Sequence, residues 1–313
     1  MGAVRDVIGV ARCSAMAAGI VSLLRYICFD SKKLIRSFDD VVAPLLARTV
    51  GADRRTYDVL LASSIKFGLA MWGYAEMACL PFDAELVVLG SSFTRVYDDL
   101  VDNFDQPALD DRVAEMFGTG RFEPLSDVES LLLALYQSME TRLARPRDDP
   151  IYAAVKELHR YERQSRRQCD PDISPAEVRQ ITRDKGGYGL VALFALLRPA
   201  MVDAERELLM DLGEVIQLLD DHHDVALDRK AGVRTSTILG ESTLAQLARK
   251  IRGLHGRLGG YYGRARVRGL AAALYLVLVG ALFADRDTVH DRATQRRRTT
   301  FALLFAPAGN LVR

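Results

Sequence analysis

The chain has 313 residues, 49% of them hydrophobic, and a mean hydropathy of +0.03, enough apolar material for one sizeable core. Its 42 basic and 41 acidic residues leave a net charge of +1. That balance excludes a general attraction to nucleic acid or to a membrane surface, so any anion must be held by a local site.

Val4–Phe29 is apolar with isolated arginines and reads as an amphipathic or largely buried helix. Leu34–Val50 repeats the helical spacing, and its Asp39-Asp40 pair reads as a solvated face. Asp53 is placed to cap a helix running to about Leu80, where Pro81 stops it. Asp83 caps the next helix, from about Ala84 to Phe104, and Gln106-Pro107 breaks it. Leu109–Phe117 is a weaker helix. Ser126–Arg145 and Ile151–Gln168 form a helical hairpin, whose second member carries a stripe of Arg160, Arg163, Arg166 and Arg167, read as a solvated face.

Ser174-Pro175-Ala176-Glu177 is a capping box with proline at the first helical position. The helix it opens meets Lys185-Gly186-Gly187-Tyr188-Gly189, where three glycines in four residues predict a break or kink. A long helix follows over Asp203–Leu227, then a polar loop over Asp228–Gly240. Ser242–Gly259, Tyr261–Phe283 and Asp285–Phe305 complete the helices. The longest uncharged run, Gly269–Ala284, is short of the roughly 20 residues a membrane span needs. Cys13, Cys28, Cys79 and Cys169 stand far apart with no C-x-x-C pair, which reads as free buried thiols of a soluble protein in a reducing cytoplasm. The expected fold is all-α, with residues 1–313 forming a single helical bundle around a central cavity.

Two acidic clusters stand out. Asp220, Asp221 and Asp224 form a D-D-x-x-D pattern in Gln217–Asp224, and Asp98, Asp99 and Asp102 repeat it. Residues four apart share a helix face, so each cluster sets two carboxylates one above the other with a third beside them. Such crowding makes sense with cations. Mg²⁺ takes oxygen ligands, keeps several waters and typically uses one or two carboxylates together with substrate phosphates. Facing clusters therefore suit a diphosphate held between metal ions. His222 and His223 lack the partner spacing of a zinc site.

In these motifs the chain resembles the class I isoprenoid synthases, in their trans-prenyl diphosphate synthase branch. Gln217-Leu218-Leu219-Asp220-Asp221-His222-His223-Asp224, followed by Asp228, looks like the second aspartate-rich motif with its leading glutamine, and Asp98–Asp102 looks like the first. The likeness covers roughly residues 84–235. It implies the helical bundle, Mg²⁺ (three ions, with Mn²⁺ able to substitute) and a prenyl diphosphate substrate, with a homodimer left open as the assembly. It assigns metal binding to Asp98, Asp102, Asp220 and Asp224, with Asp99 and Asp221 in support. Lys185 would contact the diphosphate, Gln217 would orient ligands or water, and Arg183 or the Arg234 loop would close over the site. Ser91 and Thr94, below Asp98, would leave a deep pocket. Tyr188, Phe194 and Trp72 are candidates for cation–π contact with a carbocation. The Arg296-Arg297-Arg298 run is a candidate for capping the site.

The departures carry information. Chain-elongating members hold isopentenyl diphosphate with an early Gly-Lys-Arg-x-Arg-Pro segment and arginines just after the first motif. Here Asp102 is followed by no arginine before Arg112, and Arg54-Arg55 is the nearest early basic pair. The expected activity is therefore that of a terpene cyclase, ionising one prenyl diphosphate and folding the cation. A prenyltransferase and a catalytically silent helical subunit are the alternatives. Phe93, just before the first motif, resembles the family's chain-length floor, and Thr94 beside it leaves room, which points to geranylgeranyl diphosphate. Arg95 falls on the aspartate face, where a cyclase pocket wants an apolar group; pairing with Asp98 or Asp99 would account for it.

Overall fold

The computed structural model describes residues 14–51, 53–103, 107–198 and 200–284, the side chains of 14–18, 102, 103, 107 and 282–284 excepted. Cys13, the predicted helix Asp285–Phe305 and the Arg296-Arg297-Arg298 run lie outside the described residues. Among those described the fold is all-α, without a strand. The helices are α1 (Ser14–Arg25), α2 (Ser31–Val41), α3 (Ala43–Thr49), α4 (Arg54–Ala78), α5 (Ala84–Asn103), α6 (Pro107–Thr119) and α7 (Asp127–Leu143). They continue with α8 (Pro150–Ser165), α9 (Pro175–Ala195), α10 (Asp203–His223), α11 (Val225–Ala231), α12 (Leu244–Tyr262) and α13 (Arg268–Ala284). A π-helical turn over Tyr26–Asp30 joins α1 to α2, and a 3₁₀ turn over Arg166–Cys169 follows α8. No described helix is long and apolar enough to cross a membrane.

Local chemistry sets most of these boundaries. The Asp53 carboxylate accepts from the backbone N–H groups of Arg55 and Thr56 and opens α4. Asp83 does the same for α5 through Glu85 and Leu86. Ser174 with Glu177 and Thr243 with Gln246 form complete capping boxes at α9 and α12. Helix α4 ends where Cys79 turns left-handed at φ 55°, two residues before Pro81. Cys28, Cys79 and Cys169 are free thiols but exposed, not buried as composition suggested, because each sits on the outer side of a turn or at a helix end.

The glycine-rich stretch Gly186–Gly189 does not break its helix: α9 runs continuously from Pro175 to Ala195. The reason lies across the interface. A Cβ on Gly186 would sit 2.5 Å from the backbone oxygen of Gly213 in α10, and one on Gly213 would come still closer to Gly186. Glycine here trades helix propensity for a backbone-to-backbone approach, and the dispersion contacts of that seam offset the cost. The basic stripe is a solvated face at Arg160, Arg163 and Arg167, which are exposed, but Arg166, just past the end of α8, turns inward. Arg166 makes a two-pronged pair with the buried Asp110 of α6, at 2.6 and 2.9 Å, and also reaches the Val101 carbonyl at the end of α5. Arg163 joins at 3.3 Å, while Arg160 pairs with Glu157 and Arg167 with Glu177.

The core binds these elements through large buried side chains, with Tyr74 stacked on Phe194 at 4.3 Å and Trp72 against Tyr26 at 5.2 Å. A fully buried carboxylate, Glu205 in the first turn of α10, accepts hydrogen bonds from Tyr74 and Tyr262 at 3.1 and 2.7 Å and pairs with Arg198 at 3.0 Å. Its place at a helix N-terminus is also favoured by the helix dipole.

Replacing Gly213 with Ala should therefore push α9 and α10 apart at a cost of about 1–3 kcal/mol. Gly253, on the exposed face of α12 with open space around it, should gain up to about 1 kcal/mol on the same change. Urea midpoints of the two variants test the contrast, and equal shifts of one sign would refute the seam.

Candidate functional site

The second acidic cluster closes α10. Helix α10 stops at His223, Asp224 occupies the junction at φ −99° and ψ 8°, and α11 begins at Val225. The D-D-x-x-D pattern thus straddles a helix break and does not lie within one helix to Leu227. Backbone bonds persist across it, from the Asp224 N–H to Asp220 and from the Asp228 N–H to Asp224, so the three acids remain on successive turns.

Asp220 and Asp221 part ways. Asp220 faces α4, where Lys66 Nζ donates to its Oδ1 at 2.6 Å. Asp221 turns into the protein and is 5% exposed. Its Oδ1 accepts from Gln217 Nε2 at 3.0 Å, while its Oδ2 is buried without a hydrogen-bond partner. Burial pushes Asp221 up to about 7, opposed by the Gln217 hydrogen bond and reinforced by the charges of Asp220 and Asp228. Burial and then the Asp220 charge raise Asp224 to about 6. Asp228 also reaches about 6, through burial and then Asp224 and Asp220. For Asp220 burial acts upward but the Lys66 ammonium outweighs it, and the net shift is downward. The same pair holds Lys66 above its ordinary value, the Asp220 charge outweighing burial.

The first cluster lies on α5. Asp99 is buried and takes both prongs of the Arg95 guanidinium, at 3.1 and 2.5 Å. Asp98 is half-buried, and the side chain of Asp102 lies outside the described residues. The Arg95 charge reaches Asp224 and Lys66, so α5 is felt at the end of α10 through its arginine. Behind the first cluster, Tyr97 donates to His159 Nδ1 at 2.8 Å, and the other ring nitrogen donates to the Asp110 carbonyl at 3.0 Å.

Lys185 on α9 pairs with the buried Glu162 of α8 at 2.8 Å, and its charge is felt at Asp220, Asp221 and Asp228. Other sequence-picked residues lie elsewhere. Arg183 pairs with Asp211 and Glu207, at 2.7 and 3.1 Å, well before the cluster on α10. The Arg234 backbone anchors its loop to Gln168, its N–H donating to the Gln168 carbonyl and its carbonyl accepting from the Gln168 side-chain amide. Ser91 is fully buried, and Thr94 bonds back to the Gly90 carbonyl. Tyr188 stacks on Tyr161 at 5.0 Å. Phe93 belongs to an aromatic cluster with Tyr97, Phe117 and Tyr136.

A cavity of about 110 Å³ opens beside the second cluster, between α4, α10 and α13. Lys66, Asp220, His223 and Asp224 form its polar end; leucines, alanines, Ile216 and Val277 form the rest. Ser91, Thr94, Tyr188, Phe93, Phe194 and Trp72 are not among its lining residues. Lys66 and Glu162 escaped the sequence reading. Lys66 had a signal, being the lone charged side chain between Asp58 and Glu76. Among the described residues no three His, Cys, Asp or Glu side chains converge as a ready-made metal site. No protein-family model matches the chain, and no curated protein matches it.

Asp221→Asn preserves acceptance from Gln217 and removes a titration. A carboxyl raised to about 7 binds a proton that the unfolded chain has already released, so its contribution to stability falls as pH rises from about 4 to about 7. In chelator-containing buffer the variant should gain on wild type across that window, with a slope approaching about 1.4 kcal/mol per pH unit. His159 and His255, both lowered by burial, are common to the two proteins and cancel in the difference. A pH-independent difference in urea unfolding would refute the shift.

Proposed function

We propose that the protein is a class I isoprenoid synthase of the cyclase kind, which ionises one prenyl diphosphate, releases diphosphate and folds the remaining cation. The observation that carries the reading is the cavity itself, apolar along α10 and α13 and carboxylate-lined at one end by Asp220 and Asp224. An amphipathic substrate with a highly charged head and a hydrocarbon tail matches that polarity.

The donor set fits Mg²⁺, or Mn²⁺ in its place. It is made of hard carboxylate oxygens, and they are crowded: Asp221 Oδ2 is buried without a hydrogen-bond partner, and burial, then acidic neighbours, push Asp224 and Asp228 up. Because Mg²⁺ commonly takes only one or two protein carboxylates beside substrate phosphates, a converged three-residue site is not required. Asp220 and Asp224 would hold metal from α10, and Asp98 and Asp102 from α5. When bound, Mg²⁺ supplies Lewis acidity to the charge developing on the departing diphosphate.

The protein's own groups do the rest. Gln217 fixes the Asp221 carboxylate, and Lys185 adds positive potential from α9. The apolar walls keep water from the cation. At about 110 Å³ the cavity is smaller than the roughly 150 Å³ that accommodates a benzene-sized guest, so the wall formed by α13 must yield to admit a prenyl chain. Phe93, away from this cavity, gives no measure of chain length.

The single-substrate reading is favoured over chain elongation by the sequence after the first motif, which carries no arginine between Asp102 and Arg112. Of the basic stripe, Arg166 is held by the buried Asp110, while Arg160, Arg163 and Arg167 stay exposed in weak surface pairs. Incubation with Mg²⁺ and prenyl diphosphates of ten, fifteen and twenty carbons should yield a diphosphate-free hydrocarbon or alcohol. Asp220→Ala should cost about 100-fold or more in turnover. Incorporation of labelled isopentenyl diphosphate into a longer prenyl diphosphate would overturn the cyclase assignment in favour of a prenyltransferase.

A further inference from the structure

Lys66 occupies a place no motif predicted. It stands on α4, 154 residues from its partner Asp220, with apolar neighbours Ile65 and Phe67 in sequence and Leu69 and Ala70 beside it in the cavity wall. An ammonium in such a wall needs a partner, since burying a charge without one is costly. Asp220 is that partner at 2.6 Å, yet the pair is not sealed in. Each side chain keeps about two-fifths of its surface accessible, 41% and 40%, and both line the cavity. Other charges around them come from Arg95 on α5, Lys185 on α9, and His223 and Asp224 at the end of α10.

The ammonium therefore sits where the apolar cavity meets the carboxylates, which is where the charged head of an amphipathic ligand would lie. We propose that Lys66 is an exchangeable counter-cation: it neutralises Asp220 in the empty protein, yields that carboxylate to a divalent ion, and then holds the anionic head of a diphosphate. The inference rests on the metal–diphosphate reading of this cavity. A lysine suits the exchange, being a compact point charge on a flexible four-carbon stem rather than a planar fork locked to one geometry. In the empty protein it competes with metal for Asp220; in the loaded protein it acts in the same direction as metal, against the charge of the diphosphate. Lys66 is thus a binding residue whose effect on metal affinity alone and on diphosphate affinity with metal present is opposite in sign.

That sign reversal is the test. Mn²⁺ binding is followed by electron paramagnetic resonance, and inorganic pyrophosphate binding by calorimetry with and without Mn²⁺. Lys66→Met should bind Mn²⁺ alone about 10-fold more tightly than wild type, and should bind pyrophosphate in the presence of Mn²⁺ about 10-fold more weakly. Asp220→Asn gives an independent arm: with its partner neutral, Lys66 should strengthen metal-free pyrophosphate binding, and the gain should vanish in the Lys66→Met, Asp220→Asn double variant. Wild type that binds Mn²⁺ and its pyrophosphate complex while Lys66→Met behaves identically would overturn the role of Lys66 alone. Wild type that binds neither would overturn the metal–diphosphate reading and this inference with it.

Discussion

Negative charge gathered at the C-terminal end of α10 is the constraint around which the site is arranged. Asp220, Asp221, Asp224 and Asp228 fall within three turns, at the end of a helix whose own dipole is already negative. Nothing in local helix chemistry favours such a grouping. The surrounding helices supply its relief, each differently: α4 brings Lys66 into contact, α5 brings Arg95 and α9 brings Lys185 into range. Burial, and then the neighbouring carboxylates, still make Asp221, Asp224 and Asp228 hold protons more tightly.

The glycine seam makes that arrangement possible. With Gly186 and Gly213 facing each other, α9 lies against α10 too closely for a Cβ at either position. Lys185 stands immediately before Gly186, so its height along α10 is fixed by the same contact. Its pairing with Glu162 then ties α8 to the pair. At the other end, Arg166 clamps Asp110 and the Val101 carbonyl, which holds the last turn of α5 against α6 and α8. Positioning of both acidic clusters thus rests on packing and ion pairs outside the clusters themselves.

What could be read from the sequence was local. Capping boxes at Ser174 and Thr243, the caps at Asp53 and Asp83 and the stop near Pro81 involve residues within a few positions of one another, and helix periodicity is a local property as well. The two aspartate clusters were legible for the same reason. Contacts between distant segments were not. The three glycines looked like a break because propensity cannot see Gly213 on the facing helix. Of the basic stripe only Arg166 departs from a solvated face, because Asp110, its partner, lies 56 residues away on α6. Lys66 is visible in sequence as a lone charge in an apolar helix, but that signal names no partner; only the fold brings Asp220 to it. The break at Asp224 was also missed, since periodicity continues through it and two backbone bonds bridge it.

Glu205 bears on how the bundle comes apart. One buried carboxylate receives Tyr74 from α4, Tyr262 from the last turn of α12 and Arg198 from the segment between α9 and α10. Detaching any one of these leaves a charge or a hydroxyl in the core with fewer partners than it needs, at the cost of an unmet buried polar group. Peeling one helix away therefore weakens the hold on the other two. The knot couples four chain segments that are remote in sequence into a single cooperative unit, so partial unfolding should not begin at this end of the bundle. At the opposite end of α10 Asp224 interrupts the helix, α11 is only seven residues long, and the Lys66–Asp220 pair keeps about two-fifths of its surface accessible, 41% and 40%. The molecule is consequently polarised in local stability along its central helix, with the tied end at Glu205 and the looser end at the carboxylates that face the cavity.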